Sequence, residues 1–326
     1  MRALPRLVVH DVHQHGVATY AQQVADAVAE ASGIDLAILR AAVVELAPGT
    51  PLHLHFTDRL WASSPEEASE MVRRLAAKHP FSVTFHDVPQ PSDGERNLIR
   101  RGEAYRAVAA TATAVVVNSA HEASLLREHE VAQRAVVIPL PIDRIPGLRS
   151  TESALDGSIG VLGFFYPGKG HAEALDAAVT AGVPALTVLG RASEGHAADL
   201  DAFVRAAADR GVAVEVTGYL DDDALVRRGR SVAVPVIAHR HISASGSLGS
   251  WIAAGRRPVA TANRYISEMA ALRPGTVTVA APDRLASAVA AALRDPASTW
   301  LGDTAVGHGR LEVAEAYLAW WRGLTW

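Results

Sequence analysis

The sequence contains no cysteine, which excludes disulfide bonds, thiolate metal sites, cysteine nucleophiles and iron–sulfur clusters. It has no apolar run of about 18 or more residues, so no helix is predicted to span a membrane. Neither sign of charge is in excess: 31 Lys and Arg stand against 35 Asp and Glu, which argues against a protein that mainly binds bare nucleic acid. The N-terminal segment enters a strand-like run without a signal peptide. These absences predict a soluble cytoplasmic protein.

The apolar content is sufficient for packed cores, because 49% of the 326 residues are hydrophobic and only 20% are charged. At roughly 100–200 residues per domain, two domains are expected. A short β-branched run, a loop and an Ala-rich amphipathic stretch recur along the chain. This alternation predicts βαβ units around parallel sheets, and continuous apolar runs are typical of strands covered on both faces.

The same unit is predicted in both halves of the chain. In the first half, strands are expected at Leu7–Val9, Leu52–Phe56, Phe81–Phe85 and Ala114–Val117. The helices that follow them are expected at Val17–Ala31, Pro65–Lys78, Glu95–Ala110 and His121–His129. In the second half, strands are expected at Ile159–Leu162, Ala185–Leu189, Val212–Val216, Val232–Ile237 and Pro258–Ala260. Helices there are expected at Ala172–Ala181 and Ala197–Arg210.

The segment Ile142–Ser158 interrupts this pattern and is interpreted as a linker. We therefore expect an N-terminal α/β domain over residues 1–145 and a C-terminal α/β domain over residues 146–307. The aromatic-rich helix within residues 308–326 is expected to cross back onto the first domain, with its aromatic side chains as packing anchors. Two doubly wound Rossmann-like domains would face each other across a cleft at the carboxyl ends of their sheets.

The loop Gly163–Gly170 is the most specific candidate for phosphate binding. A strand ends at Gly163, and two further glycines and Lys169 lead into a helix. Glycines allow close backbone approach, a helix N-terminus favours anions, and lysine adds a full charge. The alternative is an ordinary βα loop with Lys169 in solvent. The Walker spacing is absent.

A second candidate anion site is the segment Ser245–Ser247, which lies between a predicted strand and a short helix that ends at Gly255. Its small residues would present backbone N–H groups at the helix start. The alternative is a plain serine N-cap.

Taken in order, these segments resemble the retaining glycosyltransferases of the GT-B fold, which use nucleoside-diphosphate sugars. The similarity covers most of the chain. It extends over His15–Val17, Phe85–Asp87, Val117–Ser119, Ile138–Asp143, Gly163–Gly170, Leu189–Gly190, Val216–Leu220 and Ala253–Ala260. Each motif is weak alone, but the ordered set is fairly specific.

The resemblance implies a role for each matched residue. His86 would position the donor sugar, Asp87 would hold a sugar or acceptor hydroxyl, and Lys169 would bind the diphosphate. The donor diphosphate and nucleotide would be bound by Gly16, Gly163, Lys169, Gly190, Gly218, Tyr219, Leu220, Ser245, Gly246, Ser247, Leu248 and Arg257. The acceptor side would be lined by His13, His15, Asn118 and Ser119.

The chain departs from the family pattern at two places. The family's pair of glutamates falls on Ile242 and Ser250, neither of which is acidic. The arginine that the family places after the phosphate-loop glycine is replaced by Phe164-Phe165-Tyr166. A positive charge could be restored by Arg256, Arg257 or Arg264, since arginine suits phosphate recognition. The alternative for Arg256-Arg257 is a solvated turn.

The resemblance also implies the reaction. A hexose would move from a nucleoside-diphosphate sugar to a hydroxyl of a saccharide, with retained anomeric configuration. The departing phosphate would take the acceptor proton, and preorganised cations and N–H groups would stabilise its charge without a metal or other cofactor. GDP-mannose is the first expectation for the donor and UDP-glucose the second. The first rests on a likeness to actinobacterial mannosyltransferases of polysaccharide biosynthesis.

Three other interpretations compete with a transferase. A catalytically inactive, nucleotide-sugar-binding regulatory relative stays open, because the glutamate pair is missing. A dehydrogenase is rejected, since the first loop lacks G-x-G-x-x-G. A histidine metal site is disfavoured because the spacings fit poorly, and Asp221–Asp223 is interpreted as a helix N-terminus rather than a metal motif.

Overall fold

The computed structural model describes residues 4–10, 15–40, 46–146, 155–240 and 242–326. The chain forms two compact units: Met1–Pro141 together with His308–Trp326, and Ile142–Gly307. The central part of the predicted linker, residues 147–154, lies outside the described residues. In the described ranges, no helix combines the length and apolarity needed to cross a bilayer.

The first unit is a six-stranded parallel sheet in the order β2-β1-β3-β4-β5-β6. Its strands are β1 Arg6–Val9, β2 Ile38–Arg40, β3 Leu52–Phe56, β4 Phe81–Phe85, β5 Ala114–Val117 and β6 Val136–Val137. Its helices are α1 Gly16–Ser32, α2 Asp58–Trp61, α3 Pro65–Ala76, α4 Glu95–Thr111, α5 Ala120–Glu128 and, from the C-terminus, α12 Arg310–Gly323. Every residue of β3 and β4 is buried, because helices cover both faces of the sheet.

Two apolar cores lie on the two faces of this sheet. One core is formed with α3, α4 and α5, and the other with α1 and α12. Tyr317 and Trp321 of α12 are fully buried in the second core. The Tyr317 hydroxyl lies 3.0 Å from that of Tyr20 on α1. The C-terminal helix is thus an integral layer of the first unit.

The second unit is a parallel sheet in the order β12-β11-β10-β7-β8-β9. Its strands are β7 Ile159–Leu162, β8 Ala185–Leu189, β9 Ala213–Val216, β10 Val234–Ile237, β11 Val259–Thr261 and β12 Thr278–Ala280. Its helices are α6 His171–Ala181, α7 Ala197–Asp209, α8 Asp222–Ser231, α9 Gly246–Ala253, α10 Arg264–Leu272 and α11 Leu285–Arg294. Successive strands leave β7 in one direction up to β9 and in the other from β10 to β12. The order therefore reverses between β7 and β10, where ligands of doubly wound sheets bind outside the carboxyl ends of the strands.

The α/β fold class and the parallel sheets predicted from the sequence are confirmed. Seven predicted strands have the observed bounds or differ from them by one residue at the start, and the predicted helices deviate by at most two residues at either end. Asp221 caps α8, accepting from the Ala224 N–H, as predicted for a helix N-terminus. The prediction omitted β2, β6 and β12 and the helices α2, α10 and α11.

Candidate functional site

The loop after β7 places Lys169 over the end of its own strand. A Cβ built on Gly163 would lie 3.1 Å from Cε and 3.2 Å from Nζ of Lys169. Gly170, with φ of +97°, precedes α6 and offers no side-chain cap to its first N–H groups. A Cβ built on Gly170 would lie 2.4 Å from the carbonyl carbon of Ala238, which follows β10. The loops after the two switch-point strands are therefore in backbone contact.

Glycines also join the loops after β7, β8 and β9. A Cβ built on Gly190 would lie 2.2 Å from the carbonyl oxygen of Gly163. The Gly218 N–H donates to the Gly190 carbonyl at 3.1 Å, and the Gly190 N–H donates to Thr217 Oγ1 at 3.1 Å. The structure thus brings together four of the residues assigned to the donor diphosphate and nucleotide, which are Gly163, Lys169, Gly190 and Gly218.

The Lys169 ammonium is a half-buried positive charge that forms no ion pair with a carboxylate of the described residues. In the described residues no Asp or Glu forms an ion pair with it, and burial lowers its pKa to about 8. Its charge in turn helps to lower the pKa values of the buried His171 and His239. Lys169 is one of two lysines in a chain that otherwise uses arginine, the other being Lys78. An unpaired, partly desolvated cation at a strand end is suited to an anionic ligand.

A second cation, Arg191, lies beside the same loop, and sequence reasoning missed it. Phe164 and Tyr166 are exposed, and Arg191 has its guanidinium 5.6 Å from the centre of the Phe164 ring. Lys169 Nζ lies 5.9 Å from the centre of the Tyr166 ring. Arg191 has no ion pair or hydrogen bond to its side chain within the described ranges. The available signal was its position directly after Gly190 at a predicted strand end.

The start of α9 uses its serine as a cap. Ser245 Oγ accepts from the Leu248 N–H at 3.2 Å and lies 3.1 Å from Ser247 Oγ. The Leu248 side chain is buried in the core, and its N–H is already bonded to Ser245. Neither group is therefore free to bind the nucleotide sugar, contrary to the sequence assignment. Helix geometry leaves the N–H groups of Gly246 and Ser247 without intrahelical acceptors. Gly246 itself is exposed.

The turn after β9 holds Tyr219 and Leu220. Tyr219 is 72% exposed, whereas Leu220 packs partly against the core. Leu220 also lines a groove of about 520 Å³ with Glu215, Val216, Thr217, Ala224, Arg227, Arg228 and Ser231. This groove lies along the edge strand and away from the Lys169 loop, so its size alone does not identify a site.

The assignment of Arg257 to the diphosphate is not supported by its position. Arg257 precedes β11, at the amino edge of the sheet, and its Nε donates to the Gly275 carbonyl at 2.7 Å. Arg256 is fully buried over the Trp300 ring and is bonded to the carbonyls of Gly229, Arg230, Val232, Ala233 and Thr299. Arg256 therefore has a structural role. Arg264 is exposed at the first position of α10.

In the first unit, His15 and Gly16 begin α1. His15 is the N-cap, and its Nδ1 accepts from the Val17 N–H at 3.2 Å. A neutral His15 therefore carries its proton on Nε2. A Cβ built on Gly16 meets no atom within 4 Å. His13, also assigned to the acceptor side, lies outside the described residues.

His86 and Asp87 form the turn that ends β4. Tyr105 OH donates to the His86 carbonyl at 2.6 Å and also lies 3.1 Å from the Asp87 carbonyl. Asp87 has a φ of +50°, which is uncommon for a non-glycine residue. His86 is 7% exposed, and burial lowers its pKa to about 3. His86 is therefore a neutral hydrogen-bonding group rather than a proton reservoir.

The Asp87 carboxylate belongs to an ion-pair cluster. Arg101 is almost fully buried and donates to both oxygens of Asp58, to Asp93 and to Asp87 Oδ2 at 2.9 Å. Arg59 lies 3.8 Å from the same Asp87 oxygen. The side chain of Asp87 nevertheless remains 44% exposed. These ion pairs hold the turn that carries His86.

Asn118 and Ser119 face inward, which corrects their assignment to the acceptor side. Asn118 is 1% exposed and donates through Nδ2 to Tyr20 OH and to the Ile138 carbonyl. Ser119 is fully buried, and its Oγ accepts from the Glu122 N–H at 3.0 Å. Ser119 therefore caps α5, and the Asn118 side chain joins the end of β5 to α1 and to the segment after β6.

The two positions of the missing glutamates carry no alternative acid. Ile242 is buried in the apolar core, and Ser250 Oγ donates to the Gly246 carbonyl at 3.1 Å. His53 and His55 lie on one face of β3, and both are fully buried. Searched over the described ranges, the structure places no three His, Asp or Glu side chains as a metal-binding group.

Two parallel Rossmann-like sheets, the second with glycine-rich loops at its carboxyl edge, define the α/β fold class GT-B. No family model and no curated protein sequence matches the chain. Among solved structures, HepE (Alr3699) of Anabaena with bound UDP-glucose is similar with a TM-score of 0.73 and 13% identity, over 99% of this chain and 100% of that one. Sucrose-phosphate synthase of Thermosynechococcus elongatus is similar with a TM-score of 0.71 and 16% identity, over 98% of each chain. The apo structure of OtsA is similar with a TM-score of 0.63 and 12% identity, over 96% of this chain and 80% of that one. At identities this low, the structural similarity establishes a shared fold and nothing further.

Proposed function

We propose that this protein is a glycosyltransferase that moves a hexose from a nucleoside-diphosphate sugar to a hydroxyl of a saccharide acceptor. The observation that carries the proposal is the half-buried Lys169 ammonium at the switch point of the second sheet, which forms no ion pair with any carboxylate of the described residues. The shared fold with HepE, solved with UDP-glucose, adds support. The ordered motifs of the sequence point to the same donor class.

The donor diphosphate is bound by the second unit in this proposal. Lys169 and Arg191 supply positive charge, and the N–H groups of Gly246 and Ser247 supply hydrogen bonds at the start of α9. Gly163 and Gly190 have no side chains that would keep a phosphate from the backbone. Arg191 replaces Arg257 as the second cation, because Arg257 lies at the opposite edge of its strand.

The proposed reaction needs no side-chain base to take the proton of the acceptor hydroxyl. The bond between the anomeric carbon and the phosphate oxygen breaks, and its electron pair stays on the phosphate. The acceptor oxygen bonds to the anomeric carbon on the same face, and its proton passes to a phosphate oxygen. Lys169 and Arg191 stabilise the charge that develops on the leaving group. A retained anomeric configuration follows, and no metal or other cofactor is assigned a role.

His86 is proposed to hydrogen-bond the donor sugar, as the resemblance implies. It is well suited to this role because burial lowers its pKa to about 3, so its ring stays neutral at physiological pH. Of the residues assigned to the acceptor side, His15 and His13 remain proposed to line it, and His13 lies outside the described residues. Asp87 contributes chiefly by holding the turn, with its exposed face left for a hydroxyl.

For the donor nucleotide we propose UDP before GDP, which reverses the order expected from the sequence. The expectation of GDP-mannose rested on a likeness in sequence alone, whereas HepE, which shares the fold, was solved with UDP-glucose and with UDP. A UDP-hexose such as UDP-glucose is therefore the first donor to test, and GDP-mannose the second.

A binding-only regulatory protein is the second candidate, and one specific observation favours it. The positions that carry acidic residues in the resembled family hold the buried Ile242 and the internally bonded Ser250. Such a protein would bind the nucleotide sugar through Lys169 without turning it over.

Two measurements test these proposals. A thermal-shift screen with UDP, GDP and ADP, each free and as its sugar conjugate, identifies the base, since a ligand at 100 times its Kd stabilises the fold by about 2.7 kcal/mol. Release of nucleoside diphosphate that depends on a saccharide acceptor, with the anomer assigned by NMR, identifies a retaining transferase. Binding without turnover over a panel of acceptors supports the regulatory protein, and the absence of any nucleotide shift rejects both.

A further inference from the structure

His55 and His86 are joined by a hydrogen bond between their rings. His55 lies on β3 and His86 directly follows β4, and His55 Nδ1 is 3.2 Å from His86 Nε2. The ring centroids are 5.5 Å apart and the ring planes differ by 22°, so the two rings lie side by side along this bond. Burial lowers the pKa of both imidazoles, so both are neutral at physiological pH. In a neutral pair, one nitrogen donates and the other accepts.

The direction of this bond follows from the other nitrogen of His55. His55 Nε2 is buried and has no hydrogen-bond partner in the part of the chain that the structure describes. If Nε2 carried the proton, a buried N–H would be left without an acceptor. If Nδ1 carries it, only a lone pair is left unpaired. Orphaned buried N–H groups are rarer than under-satisfied acceptors, so the Nδ1–H form is favoured.

We infer that His55 is a positioning residue that fixes the tautomer of His86. His55 Nδ1–H donates to His86 Nε2, so the proton of a neutral His86 resides on Nδ1. His86 Nδ1 has no hydrogen-bond partner among the described residues. It is thus presented as a donor at the carboxyl edge of the first sheet, directed to an acceptor oxygen such as that of a sugar hydroxyl. The nature of that ligand rests on the proposed function, whereas the tautomer does not.

The ring of Tyr20 packs against both histidines, and its hydroxyl begins a directed chain of hydrogen bonds. Its edge-on contacts to His55 and His86 have centroid distances of 5.5 and 5.4 Å. Asn118 Nδ2 donates to the Ile138 carbonyl, which can only accept, so the amide orientation is defined. The same Nδ2 donates to Tyr20 OH. The Tyr20 proton is therefore directed to its other partner, the C-terminal helix.

The chain continues through α12 into the first sheet. Tyr317 OH lies 3.0 Å from Tyr20 OH and 2.9 Å from Thr84 Oγ1, so it accepts from the former and donates to the latter. Thr84 then donates to His53 Nε2 at 2.9 Å, and His53 Nδ1 donates to Ser82 Oγ at 2.8 Å. These directed bonds hold the rings of Tyr20 and His53, which both pack against His55. The network therefore restrains the ring of His55, which in turn orients His86.

Histidine NMR tests the tautomer without any ligand. In the full chain labelled with ¹⁵N-histidine, two-bond ¹H–¹⁵N correlations distinguish a protonated Nδ1 from a protonated Nε2, and His86→Gln assigns the His86 signals. We expect a protonated Nδ1 and an unprotonated Nε2 for His86, unchanged between pH 8 and pH 6. A protonated Nε2 on His86 would overturn the inference.

Two substitutions test the positioning role. His55→Phe keeps a ring of similar shape but removes the bond, and we expect His86 to show a mixture of tautomers and turnover to fall by about tenfold through kcat. His55→Asn keeps an N–H near the position of Nδ1, and it should restore both readouts in part. Urea unfolding verifies that each variant folds. A pure Nδ1–H signal for His86 in His55→Phe contradicts the inference, and absent turnover in the wild type, with the expected tautomer, contradicts only the proposed function.

Discussion

A Cβ on Gly190 would lie 2.2 Å from the carbonyl oxygen of Gly163, a distance that no side chain tolerates. The same two loops continue the β7–β8 pairing beyond the strands, since the Phe165 N–H donates to the Arg191 carbonyl at 2.8 Å. Phe164 and Arg191 are therefore held on an extension of the sheet, and the turn that carries Lys169 follows it. The geometry of the candidate phosphate site depends on this backbone contact.

Gly190→Ala should destabilise the protein, because the added methyl forces the two backbones apart. A cost of about 1–3 kcal/mol is expected, the scale of overpacking a tightly packed site. Urea unfolding followed by circular dichroism measures it. An unchanged midpoint would mean that the two loops are not held together as described.

Gly16→Ala is the matched contrast, because that glycine is not required for folding. Its φ is not positive, and a Cβ there meets no atom within 4 Å. Stability should be unchanged or higher by up to about 1 kcal/mol, since alanine is the better helix former. If Gly16 nevertheless approaches a ligand, the affinity for UDP-glucose falls while the unfolding midpoint does not. Equal affinity in the two proteins would remove Gly16 from the donor site.

Lys169→Ala should slow turnover by about 2–4 kcal/mol in transition-state free energy, the loss expected for one preorganised donor. The affinity for UDP should weaken as well, because the diphosphate loses a cation. Lys78→Ala is the control, as it removes the other lysine of the chain. Wild-type kinetics in Lys169→Ala would show that this ammonium is only a surface charge.

The affinity for UDP should fall as the pH rises through about 8. Burial lowers the pKa of Lys169 to about 8, so the ammonium is present below that pH and lost above it. Isothermal titration between pH 7 and pH 9 measures the fall. Lys169→Arg should remove most of it, since a guanidinium stays charged over this range. A pH dependence that persists in Lys169→Arg would place the titrating group elsewhere.

The sequence predicted the strands well where burial is complete. The bounds of β3 and β4 are those predicted, because a strand covered on both faces appears as a continuous apolar run. By contrast, β6 consists of Val136 and Val137, both exposed, and a two-residue edge strand has no pattern of its own. Lys169 was found because glycines and a strand end mark its loop.

Site residues that depend on tertiary contacts were harder to predict. Arg191 is brought to the Lys169 loop only by pairing of β7 with β8, which no local motif encodes. Asn118 and Ser119 match a strand-end motif, yet their side chains complete internal bonds. Arg257 was assigned because arginine suits phosphate recognition, although a residue that precedes a strand lies at the amino edge of a parallel sheet.

Arg191→Ala should weaken the binding of UDP by about tenfold, since Arg191 contacts Phe164 but has no carboxylate among the described residues. Uridine, which lacks phosphate, should bind equally to both proteins. Arg205→Ala, an exposed arginine on α7, is the matched control. A similar loss of uridine affinity would show that Arg191 contacts the nucleoside, and no loss with UDP would exclude it from the site.

His171→Leu should make the protein less sensitive to acid. His171 is buried between Phe165 and Phe203, and neither ring nitrogen has a hydrogen-bond partner in the described ranges. Burial and the charge of Lys169 lower its folded pKa to about 3, whereas an unfolded histidine titrates near pH 6.5.

The direction of this pH effect on stability follows from the number of protons that the folded and the unfolded chain bind. Below about pH 6.5 the unfolded chain binds a proton that the folded chain excludes, so stability falls by about 1.4 kcal/mol per pH unit from this residue alone, down to about pH 3. Leucine removes that contribution and also removes two unpaired polar atoms, so stability at pH 7.5 should be unchanged or higher. Urea midpoints at pH 7.5, 6.0 and 5.0 measure the slope in both proteins. Parallel slopes would mean that His171 takes up its proton without unfolding, and hence that its ring reaches solvent.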